Sequence, residues 1–231
     1  MTQYNVNKLD LDKIRTVGIL GDRNFGKTSI MFRLAKEYKG TRTIYFYGYP
    51  KTDIPYKIIH QLAELELLTD AIVFMDELQK HIKFYEKNKS NQFLELLSVL
   101  AHNNVTLIFS TPMSQFINKA LDCFLDGFIY VRITDMGALK NGSKAKRLLQ
   151  EFSCSRISAR TIRLDAGEFL QIIDGCEDSN GLHKFENPGI GKDWNSRKIP
   201  EICPVVPPKN CGNQTILQGG KDDGNQPQSP K

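Results

Sequence analysis

Over the first 175 residues, short apolar runs alternate with stretches of helical spacing, and this alternation predicts most of the elements. Thr16–Leu20 reads as a short buried strand. Lys27–Tyr38 reads as a helix with Ile30, Met31, Leu34 and Ala35 on one face, ended by Gly40. Thr43–Tyr49, "TIYFYGY", is β-branched and aromatic, and predicts a second strand closed by Pro50. Ile58, Ile59, Leu62 and Leu65 recur at helical spacing, so Tyr56–Leu68 is expected to be a helix. Ala71–Met75 is a third strand. Asn91–His102 is a helix with Phe93, Leu94, Leu97 and Leu100 inward. Val105–Ser110 and Phe128–Ile133 are a fourth and a fifth strand. Ser143–Phe152 reads as a basic helix, and Arg160–Leu164 with Phe169–Ile173 as a final hairpin. Strands and helices alternating at these lengths predict a three-layer α/β domain with a mainly parallel central sheet.

Past Gly175 the periodicity fades into a sequence rich in Pro, Gly, Asn, Lys and Asp. Such a segment buries too little apolar surface to offset its ordering entropy. The expected organisation is one domain over 1–175 and a low-complexity, disordered tail over 176–231. Ile199–Val206 and Ile216-Leu217 are its only apolar patches. The net charge of +5 tolerates an anionic partner without requiring one. The first residues lack an apolar signal region and no run approaches a membrane span. The expectation is a cytoplasmic protein without direct membrane insertion. The five cysteines are scattered and include no CxxC pair. They read as reduced thiols, and a zinc site involving His183, Cys203 and Cys211 is disfavoured.

The sharpest chemical signal follows the first strand. Gly21-Asp22-Arg23-Asn24-Phe25-Gly26-Lys27-Thr28 fits GxxxxGK[ST] at every fixed position. Gly21 and Gly26 allow a loop whose N–H groups turn inward on phosphate oxygens. Lys27 supplies charge to the β- and γ-phosphates, and the Thr28 hydroxyl ligates Mg²⁺. The helix that starts there, through Ser29, offers free N–H groups and the positive end of its dipole. The strand before and the helix after supply the context the motif requires. The reading is a site for ATP and Mg²⁺ built from Gly21 to Ser29.

A second motif adds hydrolysis. "DAIVFMDELQ" ends an apolar strand on Asp76-Glu77, with a single strand between it and the P-loop strand. Strand ends of a parallel sheet face the ligand crevice. Asp76 is the expected Mg²⁺ holder through its water shell, and Glu77 the general base that polarises water. The alternative is an acidic pair that merely opens a solvated loop. The fourth strand ends in Ser110-Thr111, with Gln115 beyond. A polar tip there senses the γ-phosphate or holds water. Thr111 is the first candidate and Gln115 the second, although Thr111-Pro112 also suits a helix start.

The order of these motifs resembles the additional-strand, catalytic-glutamate branch of P-loop ATPases, with a RecA-like core. Within it the chain is similar to the FtsK/HerA superfamily of DNA pumps, viral genome-packaging ATPases and Zot-like proteins, from about Thr16 to Ile133. The run "LIFSTPMSQFINKALDCFLDGFIYVRI" carries that resemblance. The family glutamine usually lies close to the strand tip, whereas here Pro112 follows Thr111 and Gln115 would substitute. The resemblance implies a homo-oligomeric ring around nucleic acid, with a neighbour's arginine at the γ-phosphate. Arg147, Arg156, Arg160 and Arg163 are available, and Arg156 or Arg160 is favoured; any of them also reads as a solvated surface charge.

Two basic clusters suit sequence-independent contact with double-stranded DNA. One comprises Lys80, His81, Lys83, Lys87 and Lys89 around Phe84 and Tyr85. The other comprises Lys140, Lys144, Lys146 and Arg147. The first equally reads as a solvated helix face partly balanced by Glu86 and Glu95. The leading functional expectation is an ATPase that translocates or packages DNA. The alternatives are a helicase or loader of the RecA or AAA+ type, and an ATP-gated interaction switch.

Overall fold

The computed structural model describes residues 5, 8–49, 54–82, 87–112, 119–132, 157 and 162–185. In chain order the elements are β1 (Thr16–Leu20), α1 (Lys27–Glu37), β2 (Thr43–Tyr47), β3 (Lys57–Ile59), α2 (Leu62–Leu65), β4 (Ala71–Met75) and α3 (Leu78–His81). Then come α4 (Lys87–His102), β5 (Val105–Thr111), α5 (Lys119–Asp122), β6 (Gly127–Tyr130), β7 (Glu168–Ile173) and β8 (Gly181–Lys184). The strands form one sheet in the order β3-β2-β4-β5-β1-β6-β7-β8. Pairing is parallel from β3 to β6 and antiparallel from β6 to β8. The three-layer α/β expectation is met.

Alternate residues of the central strands feed two cores, one on each face. Val73, Met75, Leu107 and Phe109 pack with Phe93, Leu97 and Leu100 of α4. Ile72, Phe74 and Ile108 pack with Ile30, Met31, Leu34 and Ala35 of α1. β1, β4 and β5 are buried throughout, as strands covered on both faces must be. Phe46 of β2 stacks between Phe32 and Phe74, at 5.0 and 5.1 Å between ring centroids. It also meets Tyr49 edge-on at 4.9 Å. That aromatic block fixes the end of β2.

Three expectations need correction. The helix expected over Tyr56–Leu68 is instead the edge strand β3 followed by the single turn α2. Ile58 and Ile59 are adjacent, and in a strand they point to opposite faces. Each finds a different core, Ile58 that of α1 and Ile59 that of α4. The expected hairpin between Arg160–Leu164 and Phe169–Ile173 does not form. Phe169–Ile173 pairs with β6 and β8. Ile162 makes an isolated antiparallel bridge with Ile157. Finally, the expected boundary at Gly175 falls between two paired strands. β8 lies beyond it, with Ser179 and His183 buried, so the ordered sheet continues past 176. Residues 186–231 lie outside the described residues, as does the basic helix expected over Ser143–Phe152.

Candidate active site

The loop after β1 holds three residues with positive φ: Gly21 at 154°, Asn24 at 67° and Gly26 at 85°. At Gly21 a Cβ would lie 2.0 Å from Val131 Cγ2 and 3.2 Å from the Arg132 carbonyl oxygen, so glycine is required. At Gly26 a Cβ would meet nothing within 4 Å. The need there is conformational, and the space above the loop stays open for phosphate. Asp22 N–H donates to the Arg132 carbonyl at 3.0 Å, which ties the loop to the end of β6. α1 starts at Gly26 without a side-chain cap and without acidic residues in its first turn. Its leading N–H groups and dipole are available to an anion.

Lys27 is 5% exposed, and its ammonium donates to the carbonyls of Gly21 and Asp22, both at 2.9 Å. Burial lowers its pKa from the ordinary lysine value. The carboxylates of Glu77, then Asp76, oppose that effect. The lysine therefore lies curled over the phosphate loop with the acidic pair near it.

The order β4-β5-β1 places one strand between the acidic pair and the P-loop. Met75 pairs with Phe109, so Asp76 and Ser110 end up side by side at the strand tips. Ser110 Oγ–H donates to Asp76 Oδ1, and the Glu77 N–H donates back to Ser110 Oγ at 2.9 Å. Thr28 Oγ1–H donates to the other carboxylate oxygen, Asp76 Oδ2, at 2.9 Å. Thr28 and Asp76 thus meet at one point of the crevice. A hydroxyl and a single carboxylate suit Mg²⁺, which keeps several waters and takes its remaining ligands from phosphates. No cluster of three or more His, Cys, Asp or Glu suited to a metal exists among the described residues.

Glu77 adopts left-handed backbone angles, φ 54° and ψ 55°, and is nearly buried. Non-glycine residues rarely hold that conformation, and the strain is of the order of 1–3 kcal/mol. Here the bond to Ser110 and the Lys80 N–H donating to Glu77 O at 2.7 Å hold the turn. The turn leaves the Glu77 carboxylate near enough to Lys27 to oppose the effect of its burial. Gln79 Nε2 donates to Glu77 Oε2 at 2.6 Å.

Four residues that the motifs did not single out belong to this site. Ser110 carries the contact to Asp76, while Thr111 sits beside Leu20 at the P-loop strand, buried. Tyr49 is fully buried with its hydroxyl facing Asp76. Burial, and then the Asp76 charge, push its pKa well above the ordinary tyrosine value. Arg132 sets its guanidinium 5.1 Å from the ring centroid of Phe25, on the β6 side of the loop. Gln79 is the fourth. A readable signal existed for two of them: Ser110 is the polar strand tip that register brings to Asp76, and Arg132 is the first charge after the apolar β6. Gln115, Arg147, Arg156 and Arg160 lie outside the described residues, and Arg163 is exposed.

His81 corrects the reading of the first basic cluster. Its ring packs edge-on to Tyr47 at 5.0 Å, and a Cβ at Gly48 would lie 2.4 Å from it. Nε2–H donates to the Asp76 carbonyl at 3.1 Å. Burial pushes its pKa down to about 4, so it is neutral at pH 7 and supports the strand end instead of carrying charge to a phosphate. In the unfolded chain it titrates near 6.5. Protonation then favours unfolding as pH falls, so this contribution is complete above about 6.5 and lost toward 4. Between pH 7 and 5 the wild type should lose about 2 kcal/mol more stability than His81→Gln in urea titrations. Equal losses would exclude a buried neutral ring. Lys83, Phe84, Tyr85 and Glu86, with the cluster at Lys140–Arg147, lie outside the described residues, as do the side chains of Lys87 and Lys89.

Among cysteines, Cys123 is exposed and Cys176 buried. His183 is buried, stacks on Phe169 at 4.8 Å and bonds to the Ser179 carbonyl, so it is a satisfied core histidine. No helix among the described residues is long and apolar enough to cross a membrane.

No family model matches this sequence, and no curated protein does. Solved structures do. The conjugation coupling protein TcpA of pCW3, with ATPγS, aligns at TM-score 0.52 and 16% identity over 77% of this chain and 62% of that one. The genome-packaging NTPase B204 of Sulfolobus turreted icosahedral virus 2, with ATPγS, aligns at TM-score 0.53 and 15% identity. That alignment covers 76% of this chain and 98% of that one. B204 described as the DNA-packaging ATPase of Sulfolobus turreted icosahedral virus aligns at TM-score 0.53 and 16% identity, over 74% and 97%. This chain thus spans about the whole of the viral enzyme but less than two thirds of the coupling protein. At such identities the likeness establishes the shared P-loop NTPase fold.

Proposed function

We propose that this chain is a Mg²⁺-dependent ATPase that drives translocation or packaging of DNA. The observation that carries the ATPase reading is the joined set Lys27, Thr28, Asp76, Ser110 and Glu77, drawn from three strand ends onto one crevice. Binding begins with the P-loop N–H groups and Lys27, which leaves its two carbonyl acceptors for the phosphates. Bound Mg²⁺ would be held by Thr28 and Asp76 and supplies positive charge to the β- and γ-phosphates. Glu77 takes a proton from the attacking water. The new bond forms between that water oxygen and the γ-phosphorus, and the bond to the bridging oxygen breaks with its electron pair leaving on ADP.

The DNA reading is supported by the fold shared with a DNA-packaging ATPase and a conjugation coupling protein. It is also supported by Lys83, Lys87 and Lys89 directly after the turn that carries the base. We further propose assembly as a homo-oligomeric ring, with Arg156 or Arg160 of a neighbour reaching the γ-phosphate, Thr111 or Gln115 at the strand tip, and a disordered tail beyond the folded domain. The decisive measurement is ATP hydrolysis with and without double-stranded DNA, across salt, beside the mass of the assembly. Stimulation should be several-fold and fall steeply between 50 and 200 mM salt, because released counterions drive phosphate contact. Lys83→Glu with Lys87→Glu should remove most of the stimulation and keep the basal rate. Hydrolysis indifferent to DNA at every salt would exclude a DNA motor and leave an ATP-gated switch.

A further inference from the structure

Gln79 is the second residue of α3, two positions after Glu77. Its amide nitrogen donates to Glu77 Oε2 at 2.6 Å. A carboxylate oxygen only accepts, so this contact fixes the orientation of the amide on chemical grounds. The other end is therefore the carbonyl oxygen, Oε1. That atom is buried and has no hydrogen-bond donor among the described residues. A buried acceptor left without a donor is costly, and native structures seldom keep one without a use for it.

The surroundings say where such a donor would come from. Asp76, directly before Glu77, accepts from Thr28 of the P-loop at 2.9 Å, so the turn that carries Glu77 and Gln79 opens at the end of the sheet where the P-loop lies. The left-handed turn at Glu77, pinned by Ser110 and by the Lys80 N–H, fixes where the amide that follows it sits. Gln79 thus holds Glu77 with one end of its amide and keeps an unclaimed acceptor at the other.

We infer that Gln79 orients the attacking water together with Glu77. One water proton goes to the Glu77 carboxylate and the other is held by Gln79 Oε1, which aims the oxygen lone pair at the γ-phosphorus. The proton taken by Glu77 is the one lost as the water oxygen bonds to phosphorus. The proton on Gln79 stays with the product phosphate. This inference deepens the ATPase reading and rests on it. It gives a role expected at the tip of β5 to the turn that follows β4.

Two substitutions test it: Gln79→Met fills the same volume without either polar group, and Gln79→Ala suits a short helix. Each is measured for single-turnover ATP hydrolysis, for affinity to a fluorescent ATP analogue and for melting temperature. The expected result, in whichever variant melts like the wild type, is a tenfold to hundredfold slower chemical step with affinity within threefold. In a Glu77→Gln background the same change should cost less than twofold, because base and positioning group act as one unit. A loss below tenfold in the wild-type background overturns the inference. So does an equal fold-loss in both backgrounds, or an affinity that falls as much as the rate. Absence of ATP hydrolysis by the wild type, with and without double-stranded DNA, would instead refute the ATPase reading, so the two failures are distinguishable.

Discussion

Lys27→Ala should slow ATP hydrolysis by on the order of a thousandfold and weaken nucleotide binding at least tenfold. The ammonium is buried at 5% exposure and held at 2.9 Å by two loop carbonyls. It is therefore held at the loop before nucleotide arrives, and on binding exchanges those carbonyls for phosphate oxygens. In that dry setting a positive charge interacts with phosphate far more strongly than in water. Alanine removes the charge and leaves Asp76 and Glu77 facing the triphosphate without a protein cation between them. Binding falls because the two carboxylates then repel the ligand, and the rate falls further because the charge developing on the β–γ bridge is no longer stabilised. Lys27→Arg should rescue poorly, since a planar guanidinium does not fit a position shaped for a compact point charge. Hydrolysis by phosphate release and affinity by fluorescent-nucleotide titration check both effects. Turnover within tenfold of wild type would remove Lys27 from the mechanism.

The sequence was most legible where a pattern serves one local purpose. β1, α1, β4 and β5 lie within a residue of their expected limits, because continuous apolar runs and a 3.6-residue stripe each have one good burial solution. Ile58 and Ile59 misled because adjacent apolar residues fit a helix face as well as a strand covered on both sides. Only the existence of two cores decides between them. β8 was hidden for a related reason. Gly181–Lys184 is polar and short, and its place comes from pairing with β7, a contact the local pattern does not announce.

The site divides in the same way. That Gly21, Gly26, Lys27, Thr28 and Asp76-Glu77 form a group was legible because GxxxxGK[ST] and an acidic pair at a strand end each stand at fixed spacing, and the fold brings them together. Ser110 was readable only as a polar strand tip, and Tyr49 not at all, because each meets Asp76 across the sheet, where strand order and not the neighbours in the chain decides the contact. His81 looked like one more positive charge in a basic cluster. Its burial against Tyr47 and Gly48 makes it a neutral support instead. A residue type at a given spacing predicts chemistry only when its exposure is also known.

Glu77→Gln should bind ATP as tightly as the wild type or tighter while hydrolysing it about a thousandfold more slowly. The substitution keeps size, so the left-handed turn, the bond to Ser110 and the packing are unchanged. Stability should therefore stay within about 0.5 kcal/mol, which separates loss of chemistry from loss of fold. Binding holds or improves because one negative charge near Lys27 is gone, and with it a repulsion against the γ-phosphate. The rate falls because an amide does not accept the water proton at the moment the oxygen–phosphorus bond forms. Asp76→Asn should differ in kind. It removes the charge and turns one of the two oxygens that accept from Thr28 and Ser110 into a donor, so it should raise the Mg²⁺ concentration needed for half-maximal activity, whereas Glu77→Gln leaves that concentration unchanged. Titrating Mg²⁺ in both variants under single-turnover conditions separates the two carboxylates. A Glu77→Gln protein that turns over normally would remove the general base, and with it the hydrolytic reading of the pair.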